Sequence, residues 1–137
     1  MHTVSLFPNL LDYSFLATGV LRITVGIIFL SFWYYGFTHA REIRTQFFEK
    51  LKLRPAKVFF WITSAIEGVA GLFFVIGYCT QAVALVMGSL MLLTSFIKHH
   101  KPTVLPKNTT EFYVLLSVVC FTLVFLGAGA FAVDLPV

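Results

Sequence analysis

The sequence predicts an all-α integral membrane protein: a four-helix bundle with a short amphipathic surface helix between its first and second spans. Three observations carry this. The chain is 58% hydrophobic and 12% charged, with a mean hydropathy of +0.89, whereas soluble domains are about 25% charged. Four apolar runs, at about residues 15–37, 57–78, 81–98 and 111–127, approach or exceed the length a helix needs to cross ~30 Å of hydrocarbon. The one markedly polar interval, residues 38–57, sets Ile43, Phe47, Phe48 and Leu51 at helical spacing among Arg41, Arg44, Lys50, Lys52, Arg54 and Lys57. That pattern belongs to a helix lying on a membrane surface. No low-complexity tract or linker interrupts residues 1–137, so one domain is expected.

Residues 1–14 are broken by Pro8, Asn9 and Asp12 and read as an interfacial segment without the basic start of a secretory signal. The first span, LATGVLRITVGIIFLSFWYYG, carries Arg22, with Gly19 three residues before it and Gly26 four after, on one face. Small residues so placed let a neighbouring helix approach closely. Pro55 suits the opening of the next helix. The second span, VFFWITSAIEGVAGLFFVIGY, carries Glu67. Around it stand Thr63 and Ser64 one turn back, Gly68 beside it, and Ala70 and Gly71 one turn on, with Phe60 and Phe74 closing the stripe. The uncharged connection Gly77-Tyr78-Cys79-Thr80-Gln81 has room only for a tight turn, so spans two and three are antiparallel.

Span three borrows Thr80, Gln81 and Lys98 to reach crossing length, and Ala84 with Gly88 forms a small-xxx-small pair for close packing. Met87 and Met91 read as packing residues. The adjacent His99 and His100 diverge at a helix end and read as headgroup contacts, so no metal site is expected. Thr109 or Thr110 caps the last helix and Glu111 suits its first turn. Span four offers Tyr113, Ser117, Cys120, Val124 and Gly127 as its less bulky stripe. Cys79 and Cys120 are not placed to bridge each other.

The chain has a formal net charge of +4 and a sequence pI of about 9.3, but its basic residues sit in short segments between apolar spans. There they set topology or touch anionic headgroups; nucleic acid is not the expected partner. The first inter-span loop holds six lysines and arginines and the third holds Lys98, Lys101 and Lys107, while the other connections hold none. Both basic loops should therefore face the cytoplasm and both termini the outside. Trp33, Tyr34, Tyr35, Phe60, Trp61, Phe112 and Tyr113 then form an aromatic belt at the cytoplasmic interface.

A carboxylate at bilayer depth costs at least ~2.5 kcal/mol, so Glu67 needs a proton, a cation or a polar cavity. From the ends of their spans, Arg22 lies roughly 10 Å deep and Glu67 roughly 16 Å deep, a gap an arginine side chain covers. An Arg22–Glu67 pair in the outer half of the bundle is expected, with Thr63 and Ser64 lining the same polar pocket. Asp134 either forms the rim of that pocket or caps the terminus. Glu67 has two readings, a working proton or ligand site and a pair that serves structure alone. The sequence has no haem-type histidine pair in facing spans, no CxxC and no nucleotide-binding loop. Any redox chemistry would need a bound quinone or a partner subunit.

The stretches LRITVGIIFLSFWYYGF, IEGVAGLFFVIGYCTQAVAL and EFYVLL…FLGAGAFAVD resemble the DoxX family of small four-span bacterial and archaeal membrane proteins, to which MauE-type proteins are related. The family features fall on Arg22, Gly26, Glu67, Gly68, Gly71, Gly77, Gly127, Gly129 and Asp134. The chain departs from the family pattern at Gln81, where an arginine is usual, and at Ala128 and Ala130, where the terminal motif has proline and arginine. The resemblance implies an accessory subunit of a membrane redox or respiratory complex, with an intramembrane pocket for a quinone or lipid and no intrinsic cofactor. The alternative is a stand-alone small-molecule or lipid binding protein, or an assembly chaperone. It also implies a cytoplasmic (inner) membrane location, and at most a non-catalytic or quinone-linked role in an oxidoreductase.

Overall fold

The computed structural model describes residues 8–103 and 108–133; Lys107 and Asp134 lie outside the described residues. After a short 3-10 turn at Pro8–Tyr13 come five α-helices: α1 Ser14–Thr38, α2 Arg41–Lys50, α3 Ala56–Ile76, α4 Thr80–His100 and α5 Thr110–Leu126. The described residues form no strand, as a lipid-facing chain requires, since a helix satisfies its own backbone groups. Helices α1, α3 and α4 are long and apolar enough to cross a membrane. The 17 residues of α5 reach about 25 Å, and this helix accompanies α4 for most of its length. Gln81 Nε2 donates to the Val124 carbonyl at 3.0 Å near one end. Ser117 Oγ donates to the Gly88 carbonyl at 2.9 Å midway, and Lys98 lies over the Tyr113 ring at the other.

The bundle is two close helix pairs. In α1 and α3, running antiparallel, Gly26 sits against the Gly71 carbonyl and Phe74, and Gly71 against Leu30. Phe29 and Phe74 stack there with ring centroids 5.8 Å apart. In α4 and α5, Gly88 lies against Cys120. Where the pairs meet, Val25, Phe29, Phe74, Met87, Cys120 and Leu123 are almost wholly buried. The buried stripe of α3 is Phe60, Ser64, Glu67, Gly68, Ala70, Gly71 and Phe74, recurring at the three- and four-residue steps that share a helix face.

Turn chemistry fixes the connections. Gly77 closes α3 at φ +77°, the left-handed conformation that glycine adopts without a Cβ penalty, and both Gly77 N–H and Tyr78 N–H donate to the Phe73 carbonyl. Thr109 caps α5 by accepting from Phe112 N–H. Although α3 and α4 are joined by this tight turn, they splay apart, because α3 packs along α1 and α4 along α5.

Past Gly127 the chain turns back over the start of α1. Ala130 N–H donates to the Phe15 carbonyl at 3.0 Å, and a Cβ on Gly19 would stand 2.7 Å from the Ala130 carbonyl oxygen. Gly19→Leu should therefore lower stability in detergent by about 1–3 kcal/mol, the usual cost of overpacking. Val20→Leu, on the exposed neighbouring position, should leave the melting temperature unchanged; thermal unfolding of the two variants checks this.

Candidate intramembrane polar site

The cation that answers Glu67 comes from the surface helix. Arg44 Nη1 lies 2.6 Å from Glu67 Oε2, and the two side chains are 21% and 9% exposed. Arg44 Nη2 also donates to the Phe32 carbonyl of α1 at 3.2 Å. The guanidinium lies on Gly36, where a Cβ would stand 2.6 Å from Arg44 Cζ. Glycine at position 36 thus leaves the space through which Arg44 reaches between α1 and α3. Aromatic contacts hold α2 from the outside: Phe48 stacks on Phe59, and the Arg41 guanidinium lies 5.8 Å from the centroid of the Trp61 ring.

The expected Arg22–Glu67 pair does not form. Arg22 is fully buried, but its Nη2 donates to the carbonyls of Ala130 at 3.2 Å and Phe131 at 3.1 Å, and its guanidinium packs on Gly77. An Arg22–Glu67 pairing requires the N-terminal end of α1 and the C-terminal end of α3 to be level. They are not: α1 begins well before the level at which α3 ends, so Arg22 stands opposite Gly77. Beside the glutamate's own turn lies Trp33, whose indole covers Gly68. Arg22 and Trp33 are about 16 Å apart along α1, too far for the pairing. The ion pair sits at the middle of α3 and is reached by Arg44 from the end of the bundle that carries the basic loops.

The other expected pocket residues part company. Thr63 turns its hydroxyl onto its own helix, donating to the carbonyls of Phe59 and Phe60. Ser64 is 1% exposed, one turn from Glu67, and its Oγ has no hydrogen-bond partner among the described residues. Of the packing glycines, Gly19 meets the returning C-terminal segment, Gly26 and Gly71 meet across α1 and α3, Gly68 receives Trp33, and Gly88 meets α5. One residue not anticipated at the site lies against the pair: Gly36, whose missing side chain leaves room for the Arg44 guanidinium. The signal for Arg44 was present in the sequence. It shares a helix face with Phe47, Phe48 and Leu51 at three-, four- and seven-residue steps, so it belongs to the membrane-facing side of α2.

A second feature is an apolar groove where α3 and α4 part. About 450 Å³ in volume, it is lined by residues that include Ala65, Val69, Phe73, Cys79, Ala82 and Val86.

Fold and site together define a small helical integral membrane protein with a partly buried ion pair anchoring a surface helix. The model of the DoxX family matches residues 17–100, more than half of the chain, and the protein belongs to that family. No curated protein and no solved structure matches it. The match takes in α2, α3, α4 and nearly all of α1, and so both partners of the ion pair.

Arg44→Gln and Glu67→Gln should each destabilise the protein, and the double variant should lose less than the sum, with a coupling of about 1–3 kcal/mol. Arg22→Gln combined with Glu67→Gln should be additive. Unfolding of the wild type and the five variants, Arg22→Gln alone included, in one detergent measures both cycles.

Proposed function

We propose that this DoxX protein is a non-catalytic accessory subunit of a membrane redox or respiratory complex in the cytoplasmic (inner) membrane, and that its α3–α4 groove seats the isoprenoid tail of a quinone. The observation that carries the reading is the groove itself, open towards lipid and walled by apolar side chains. A flexible hydrocarbon chain suits such a surface. With only apolar walls the groove offers no partner to quinone carbonyls, so the ring and its electrons belong to a partner subunit. That is what makes the chain accessory. The Arg44–Glu67 pair then serves the fold, holding α2 in place. With both basic loops in the cytoplasm, the tight turn that closes the groove faces outside.

The same apolar walls also favour a second reading, a stand-alone binder of an ordinary acyl chain. Native mass spectrometry of gently solubilised membranes separates the two. The first reading expects a partner chain and a quinone to travel with the protein; the second expects phospholipid alone. Ala65→Phe with Ala82→Phe should fill the groove and remove the bound molecule. Both positions are exposed, so thermal stability should hold. Retention of the molecule in the filled variant would contradict either reading.

A further inference from the structure

The end of the bundle that carries α2 collects most of the charge of the described residues. Arg41, Lys50, Lys52, Arg54, Lys57, Lys98 and Lys101 lie there, opposed by Glu42, Glu49 and Glu111. None of these seven cations makes an ion pair with a described residue. Among them are exposed apolar side chains, Ile43, Leu53, Val58, Trp61 and Ile62. Three cations stand about the start of α3. Arg41 is held over the Trp61 ring, Lys57 stands one turn before Trp61 on the same helix, and Arg54 borders a cleft of about 640 Å³ with Glu49, Pro55 and Ala56.

We infer that this region is a binding site for an anionic phospholipid, with the phosphate among Arg41, Arg54 and Lys57 and an acyl chain along Val58, Trp61 and Ile62. Charge complementarity selects an anion. The run of apolar side chains directly below the cations selects one that carries hydrocarbon, because a soluble polyanion would leave Val58, Trp61 and Ile62 without a partner. A tryptophan between cation and hydrocarbon sits where the interfacial belt places it. The site is at the opposite end of α3 from the turn that closes the α3–α4 groove, so it stands or falls independently of the quinone reading.

Quenching of tryptophan fluorescence by brominated lipids tests it on the full chain. Protein in mixed vesicles should prefer brominated phosphatidylglycerol over brominated phosphatidylcholine by about tenfold at low salt, a step of the size that a few interfacial cations give. The preference should shrink several-fold in 0.5 M salt and vanish in the triple variant Arg41→Gln, Arg54→Gln, Lys57→Gln. The variant Arg41→Lys, Arg54→Lys keeps the charge and should keep the preference, which separates loss of the site from loss of the fold. Soluble glycerol phosphate at millimolar concentration should not displace the lipid. Equal affinity for the two lipids, a preference that survives the triple glutamine variant, or displacement by glycerol phosphate would overturn the assignment.

Discussion

A carboxylate halfway along a membrane-crossing helix must be compensated, and here the compensating cation is delivered from outside the four long helices. The 2.6 Å contact between Arg44 and Glu67 ties the surface helix α2 to the middle of α3 and, through the Phe32 carbonyl, to α1. Three elements are thereby fixed by one guanidinium. Removing either partner would leave the other charge buried and unpaired, a loss of about 3–5 kcal/mol in comparable sites. The bare position 36 follows from the same demand, since any side chain there would occupy the path of the arginine. So does the aromatic clamp of Phe48 on Phe59, which keeps α2 close enough for Arg44 to reach.

Arg22, fully buried, answers a different need. Arg22 gathers the carbonyls of Ala130 and Phe131, backbone groups of an irregular segment with no helix of its own to satisfy them. A polar backbone near the membrane is tolerated only when protein groups partner it. Gly19, Gly77 and Gly129 provide the close approach that lets the segment lie on the bundle. The two arginines thus secure opposite ends, one holding the surface helix and the other the C-terminal return. With α3 committed to α1 and α4 to α5, the tight turn at Gly77 joins helices that diverge, and the apolar groove between them is the consequence.

The all-helical membrane fold could be read from the sequence because hydropathy and period report directly on burial in lipid. The α3 stripe from Phe60 to Phe74, the surface helix with its paired phenylalanines and the Gly88 contact all follow from three- and four-residue spacing. What spacing does not contain is the relative level of two helices. Counting residues inward from each end placed Arg22 beside Glu67, whereas the early start of α1 carries Arg22 past the end of α3. Arg44 was hidden for a related reason. It stands in a loop rich in cations, where each looks like a determinant of topology. Only its place on the face of Phe47, Phe48 and Leu51 sets it apart from Arg41, Lys50 and Lys52.

The role given to the ion pair is tested most directly by amide hydrogen exchange of the protein in detergent, comparing the wild type with Glu67→Gln. If Arg44 holds α2 through Glu67, exchange should accelerate at least tenfold across residues 41–50 while the cores of α4 and α5 keep their protection. Unchanged protection of α2 in the variant, or uniform loosening of every helix, would contradict the account.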